Sequence, residues 1–361
     1  MPRDIGHEET EEILKEIEKR ISREYRQAER EVSKTLDDYL KRFEVKDAKW
    51  RQWVKQGEKT EKEYQQWRIG QILIGERWEE QRRTLAEDFT HASQIAKNIT
   101  GEYMPDVYAL NHNYATFQVE QGSCLDTSYT LYDRETVMRL ASDSEEIIPI
   151  PGQKISKAIK EGKAVKWNER QIQSVVMQSL LQGESIPNIA SRLAYAVGET
   201  NRKASIRNAR TLATGVQNAG RVDSYKRANK MGINTKKQWM AALDKRTRHW
   251  HRELDGVIQD VDKPFENDFG KIMYPGDPHA DGANIYNCRC TLIAALKGYE
   301  RDLAKTDDRY NEKLGDMSYD EWKKEKKQKS ENIEKQYKTS SRMRKTNIRA
   351  YKGREEIPGQ N

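Results

Sequence analysis

Cysteine is scarce in this chain: three residues in 361, and two of them, Cys288 and Cys290, stand one residue apart. That count excludes a disulfide framework, because a bridge across a one-residue gap is badly strained. Reduced thiols, or thiolates on a metal, fit better. Phenylalanine is also scarce, with five against 17 Tyr and 8 Trp, and apolar residues make up 35% of the chain against 34% charged. This balance excludes a single large aliphatic core. It points to amphipathic helices with aromatic edges, leaning on partners and arranged in two or three domains. No apolar run approaches the roughly twenty residues that a membrane span needs, and Met1-Pro2-Arg3-Asp4-Ile5 opens no signal-peptide apolar region. The expected setting is therefore the cytoplasm, with no membrane contact. A glycine-rich phosphate loop and a Gly-x-Ser-x-Gly elbow are absent as well.

Helix is what the chain has in quantity. Leu14, Ile17, Ile21, Tyr25, Ala28, Val32, Leu36, Tyr39 and Phe43 recur in steps of three and four, which predicts one long amphipathic helix over 10–43 with a charged outer face. A second helix is expected over 61–98, buried through Tyr64, Trp67, Leu73, Trp78, Leu85, Phe89, Ala92 and Ile95, so that the two form a hairpin or arm. Between Thr100 and Lys166 the run Tyr114-Ala115-Thr116-Phe117-Gln118-Val119 and the later Ile147-Ile148-Pro149-Ile150-Pro151 read as short strands and loops. Asn168 to Gln171 resembles a capping box, opening a helix that Gly183 would stop. Ser185 to Leu193 then reads as a short second helix, the shape of a helix-turn-helix, followed by a third helix over 201–230. Beyond Lys237 the pattern changes to a strand at Gln238–Leu243, a short helix at Arg248–Leu254 and a closing strand at Ile285–Leu296. This is an α+β module and not a regular βαβ alternation.

Charge is unevenly placed. From Lys323 to Arg354 there are thirteen Lys and Arg against three Glu, a surplus of ten where the whole chain has seven. Lys323, Lys324, Lys326, Lys327, Lys329, Arg342, Arg344, Lys345 and Arg349 are the candidate nucleic-acid contacts, able to neutralise phosphates without reading sequence. A solvated tail with no partner has the same composition.

The scarce residue types converge on one stretch. Asp244-Lys245-Arg246-Thr247-Arg248-His249-Trp250-His251-Arg252-Glu253-Leu254-Asp255-Gly256 is followed by Tyr274-Pro275-Gly276-Asp277-Pro278 and then Asn287-Cys288-Arg289-Cys290. On a strand, the period of two would put Tyr286, Cys288, Cys290 and Leu292 on one face and Asn287, Arg289 and Thr291 on the other. Cys288 and Cys290, with His251 or His249 and with Asp244 or His279 as further donors, are ligand types that zinc takes. The one-residue cysteine spacing is shorter than that of zinc knuckles. The alternatives are a metal-free, hydrogen-bonded packing motif and a nuclease site with His251, Asp244 and Asp255 as base and orienters and Arg246, Arg248 and Arg252 on phosphates. Asp244 is expected to pair with Arg246 or Arg248, and Asp255-Gly256 to turn the chain after the helix.

These motifs in this order, from Arg210-Thr211 through Asn218, Gly220, Gly232-Ile233 and Trp239 to Leu296, resemble the signature of the Mu F-like minor head proteins of tailed phages. Asp244, Arg246, Arg248, His251, Asp255, Gly256, Pro275 and Asn287 carry the match. The resemblance implies a layout of N-terminal helical arm (1–100), mixed insertion or linker (101–166), Mu F-like module (167–297) and basic tail (298–361). It implies a non-enzymatic part of a phage head, associated with the portal protein in few copies. The major capsid or scaffolding protein would be a neighbour, DNA would be met through the tail, and zinc is a possible cofactor. The implied location is the virion, in the capsid interior or at the portal vertex, after assembly in the bacterial host cytoplasm. Some relatives follow the shared module with toxin domains; the short charged tail after Leu296 argues for a chain without one. The nuclease and the helix-turn-helix regulator are the alternatives from other classes.

Overall fold

The computed structural model describes residues 4–143, 161–182, 184–296, 308–332 and 335. The Ile147–Pro151 run, Gly183 and the basic residues Arg342, Arg344, Lys345 and Arg349 lie outside them. Helix α1, Ile5–Lys55, extends the expected helix at both ends. Asp4 caps it, its side chain accepting the His7 N–H at 2.9 Å. The predicted stripe from Leu14 to Tyr39 is buried. The second expected helix is two: α2, Glu61–Ile72, opened by a Thr60/Glu63 capping box, and α3, Glu76–Ser123. They part at Gly75, whose φ of 106° favours glycine.

Helix α3 overturns the strand reading of residues 100–123. The run Tyr114 to Val119 is helical and is enclosed on several sides. Asn111, His112, Asn113, Tyr114, Ala115, Thr116, Phe117, Val119 and Glu120 are all buried, so no single apolar stripe marks the helix, and β-branched and aromatic residues mimic a strand. Pro105 lies inside α3; an interior proline costs about 3 kcal/mol, which the packing of this central helix against α1 and the helices below outweighs. After a loop, α4 spans Arg134–Asp143.

Helix α5, Glu161–Leu181, starts before the expected cap. Asn168 is inside it and buried, its amide donating to Thr90 Oγ1 at 3.0 Å. Helix α6 is a single 45-residue element, Ile186–Lys230. The short second helix of a helix-turn-helix is therefore only its first turns, and it does not end near residue 193. Ala194 and Val197 continue the stripe of Ile189, Ala190 and Leu193 into the core, leaving nothing to stop the helix. Helices α1, α3 and α6 pack on one another along their lengths.

The small α+β region follows. Strand β1, Lys236–Met240, is the centre of an antiparallel sheet ordered β2-β1-β5, with β2 at Ile258–Asp260 and β5 at Thr291–Ala295. Trp239 faces Leu292 across the register, and both are fully buried. Between them come α7, His249–Glu253, a hairpin of β3, Phe265–Asn267, and β4, Gly270–Ile272, and α8, Gly282–Ile285. Buried Lys237 donates to the carbonyls of Val261 and Met273, and burial holds its amine down to about 8. The core of this region includes Ala115, Val119 and Leu125 from α3 and its exit, so the sheet rests on the helices directly.

The reading of Lys323–Arg354 as a solvated tail fails for residues 323–332. Helix α9, Lys313–Asp316, and a further helix over 319–332, α10, carry Leu314, Tyr319 and Trp322 into a cluster with Tyr114, Phe117 and Tyr129. Lys326 is 2% exposed and pairs with Glu120 and Asp126; Lys329 also pairs with Asp126. Two of the candidate phosphate contacts are thus spent within the protein. Lys323, Lys324 and Lys327 are exposed.

Candidate metal centre

One face of α6 holds the stretch that ends in the cysteines. Thr211, Thr214, Asn218 and Arg221 recur at steps of three and four, so they line one side of the helix. The Asn287 N–H donates to Thr211 Oγ1 at 2.9 Å, and Thr214 Oγ1 donates to the Cys288 carbonyl at 2.8 Å. Asn218 reads three points of backbone: its amide donates to the carbonyls of Pro275 and Cys290, and its oxygen accepts the Leu292 N–H at 2.9 Å. Arg221 closes the row on the Leu292 carbonyl at 2.7 Å. Gly215 lets the Pro275-Gly276 turn lie against the helix, since a Cβ there would sit 2.6 Å from the Gly276 carbonyl. Thr211 and Asn218 fall within the family resemblance, whereas Thr214 and Arg221 escaped sequence reasoning because a helix's polar face normally meets water. The signal was their spacing.

Anchored in this way, residues 286–290 are an irregular approach to β5, whose first residue is Thr291. Asn287 takes a left-handed φ of 55°. Tyr286 is consequently turned outward at 45% exposure, against the expectation, while Cys288 and Cys290 at 2% exposure and Leu292 keep the predicted common side. Thr291 is buried too, because it lies against Gln217 and Asn218 of α6. Arg289 points the other way and clamps the Asp244 carboxylate in a two-pronged contact.

Asp244 is thereby paired with Arg289 and not primarily with Arg246, which stands 4.0 Å away and largely exposed, nor with Arg248, which donates to the Tyr286 carbonyl. The Arg289 hydrogen bonds hold the Asp244 carboxyl well below the ordinary range. Arg252 donates to the Asp244 carbonyl at 2.8 Å. Asp255 accepts the Ala241 N–H at 2.8 Å and Gly256, with φ 77°, makes the expected turn. The residues grouped for a nuclease therefore serve separate contacts: Asp244 and Asp255 are each engaged elsewhere, and His251 is buried.

His251 is the one buried residue of the five-residue α7. Its Nδ1 lies 3.6 Å from Cys288 Sγ and 3.6 Å from Cys290 Sγ, and the three donor atoms all fall within 4.8 Å of one another. The Cys290 N–H points at Cys288 Sγ at 3.4 Å. Hydrogen bonding to its neighbour and burial push the Cys288 thiol up, whereas the Cys288 and His251 hydrogen bonds draw Cys290 towards the thiolate. His251 Nε2 is buried without a hydrogen-bond partner, its ring set edge-on to Trp239 and Trp250. The set could hold a metal ion. His249 is exposed beside Trp250, His279 is exposed and turned to Asp277, and neither joins the group.

Residues 170–293 match the family described as phage Mu protein F like protein, which spans α5, α6 and the small sheet up to β5. The region belongs to the phage Mu F-like family. Beyond it, the chain is 26% identical over 316 residues to minor head protein GP7 of Bacillus phage SPP1, covering 86% of this chain and 97% of that one. It is 32% identical over 209 residues to the NAD(+)–arginine ADP-ribosyltransferase EFV of Enterococcus faecalis, covering 57% of this chain but 40% of that longer protein. No solved structure matches. The Mu F-like region and the near full-length likeness to GP7 make the chain a minor head protein of the tailed-phage kind, and hence a virion component. Among the described residues no helix is long and apolar enough to cross a membrane.

Proposed function

We propose that this minor head protein sits at the portal vertex on the capsid interior, docked on the portal protein through the tip of α1 and α2, with its basic residues towards packaged DNA. The observation that carries the reading is the likeness to GP7 over nearly the whole of both chains. The rest of α1 is spent on the helical core, which leaves its distal end as the docking element. There Trp50 stacks on Trp67 at 5.4 Å and meets Trp53 edge-on, with Lys49 and Lys59 over the rings and all three indoles only partly buried. Tryptophan in such a setting is the residue type of interface anchors. The major capsid or scaffolding protein is the neighbour that this position provides, and assembly takes place in the host cytoplasm.

Co-expression with the portal protein tests the reading. The two are expected to co-purify, and Trp50→Ala with Trp53→Ala is expected to weaken the complex roughly thirtyfold or more, an anchor costing about 2 kcal/mol. A wild-type chain that never retains the portal protein overturns it.

DNA binding is the second part of the proposal, and it is electrostatic. Full-length protein is expected to bind duplex DNA of unrelated sequences alike. Replacing Arg342, Arg344, Lys345 and Arg349 with Gln should flatten the plot of log affinity against log salt by about 0.9 for each phosphate that is no longer neutralised. Unchanged slope in that variant removes these residues from the interface. The proposed role is not enzymatic; metal-dependent DNA cleavage that disappears in His251→Ala would favour the nuclease instead.

A further inference from the structure

We propose that His251 Nδ1, Cys288 Sγ and Cys290 Sγ together bind one zinc ion, with a water molecule in the fourth tetrahedral position. The proposal is independent of the portal and DNA readings. Its first support is a distance. Zinc holds sulfur at about 2.3 Å and imidazole nitrogen at about 2.0–2.1 Å, so a tetrahedral angle between them separates the two donors by about 3.6 Å. Both observed Sγ···Nδ1 separations are 3.6 Å.

The second support is a shortage of lone pairs. A neutral imidazole nitrogen offers a single lone pair, and two thiols at equal distance compete for it. A metal-free packing motif would give Nδ1 to one thiol and leave the second to hydrogen-bond its neighbouring sulfur. A cation placed between the three atoms uses every donor at once. The pair of soft sulfur donors with one imidazole selects zinc over the hard divalent ions.

The one-residue cysteine spacing loses its force against zinc here. It counts against a knuckle, where the chain turns around the metal. In this protein residues 288–290 are outside any turn. Arg289 points away to Asp244, and its two neighbours fall on one side. The ion would staple α7, which has five residues and one buried side chain of its own, to the backbone that α6 holds through Thr214 and Asn218.

The test uses the full-length protein, reduced and kept without oxygen. Metal analysis after purification with zinc should give one ion per chain. Exchange into cobalt(II) should give the sulfur-to-cobalt charge-transfer band and the intense visible bands of a tetrahedral site. Cys290→Ser should lower the charge-transfer intensity and weaken affinity roughly tenfold or more, while His251→Asn should keep the charge-transfer band and alter the visible ones. If a variant does not fold, the wild-type cobalt spectrum still decides. A folded wild-type chain that takes up neither zinc nor cobalt in stoichiometric amount, or that binds cobalt without the sulfur band, overturns the proposal.

Discussion

Arg221→Ala is expected to lower the stability of this protein by roughly 3–5 kcal/mol, the usual cost of breaking a buried charge pair from one side. Arg221 is fully buried in α6 and spends its guanidinium on three other elements. Two nitrogens meet the Asp4 carboxylate, each at 2.7 Å; Nε donates to Asn111 Oδ1 at 3.0 Å; and Nη1 also reaches the Leu292 carbonyl at 2.7 Å. The start of α1, the middle of α3 and strand β5 are thus tied at one point. Truncation leaves a mostly buried carboxylate, an amide oxygen and a carbonyl without their donor. A fall in the urea midpoint with unchanged slope checks it. Lysine should rescue little, having no planar fork. Arg221→Met combined with Asp4→Asn, which removes both charges, should lose less than Arg221→Ala alone. If the double variant is no better than the single, packing and not the stranded charge sets the cost.

The same clamp makes stability depend on acid. Burial alone would raise the Asp4 carboxyl, but the Arg221 charge and hydrogen bonds outweigh it and the net shift is downward. A carboxyl depressed by folding contributes stability that is complete above its ordinary value of about 3.9 and is lost as pH falls through the lower folded value. Wild type and Asp4→Asn should therefore converge in stability towards strong acid and diverge above pH ~4.

How far the sequence was legible follows from what surrounds each segment. Helix α1 has one wet face, so its stripe could be read, and the expected positions from Leu14 to Tyr39 are buried. Helix α3 is wet on one side only over its first half; from Asn111 to Glu120 it is enclosed, polar groups included, and periodicity no longer reports helix. The scarce Cys288, Cys290 and His251 stood out in composition and do come together. Asn218, which holds the cysteine segment, was marked by the resemblance alone, and Arg221, which ties in β5, was not singled out because buried polar side chains on a helix are uncommon. Only their partners, backbone groups of a segment some seventy residues away in the chain, explain them.

Lys326 shows the same failure in a charge run. Composition treats every lysine between 323 and 354 alike, yet the Lys326 ammonium is buried between Glu120, at 2.8 and 2.9 Å, and Asp126, at 2.8 Å. Glu120 is itself fully buried and accepts from Trp322 Nε1 at 2.6 Å and the Thr127 N–H at 2.8 Å. Lys326→Ala leaves that carboxylate without its cation, again a loss of roughly 3–5 kcal/mol if α10 stays docked. Undocking sets the ceiling: once docking costs more than release, residues 319–332 should separate, exposing Trp322 and new tryptic sites while α1, α3 and α6 stay folded. Hydrogen exchange through α10 and limited proteolysis read that outcome. Lys326→Met with Glu120→Gln should restore docking in part, because it removes the buried charges together. The Lys326 and Lys329 hydrogen bonds overcome burial and hold Asp126 below the ordinary carboxylate range, so its share of docking is present above pH ~4 and fades below it. Protection of α10 that is the same in wild type and Lys326→Ala would show that the aromatic cluster of Tyr114, Phe117, Tyr129, Tyr319 and Trp322 holds the segment by itself.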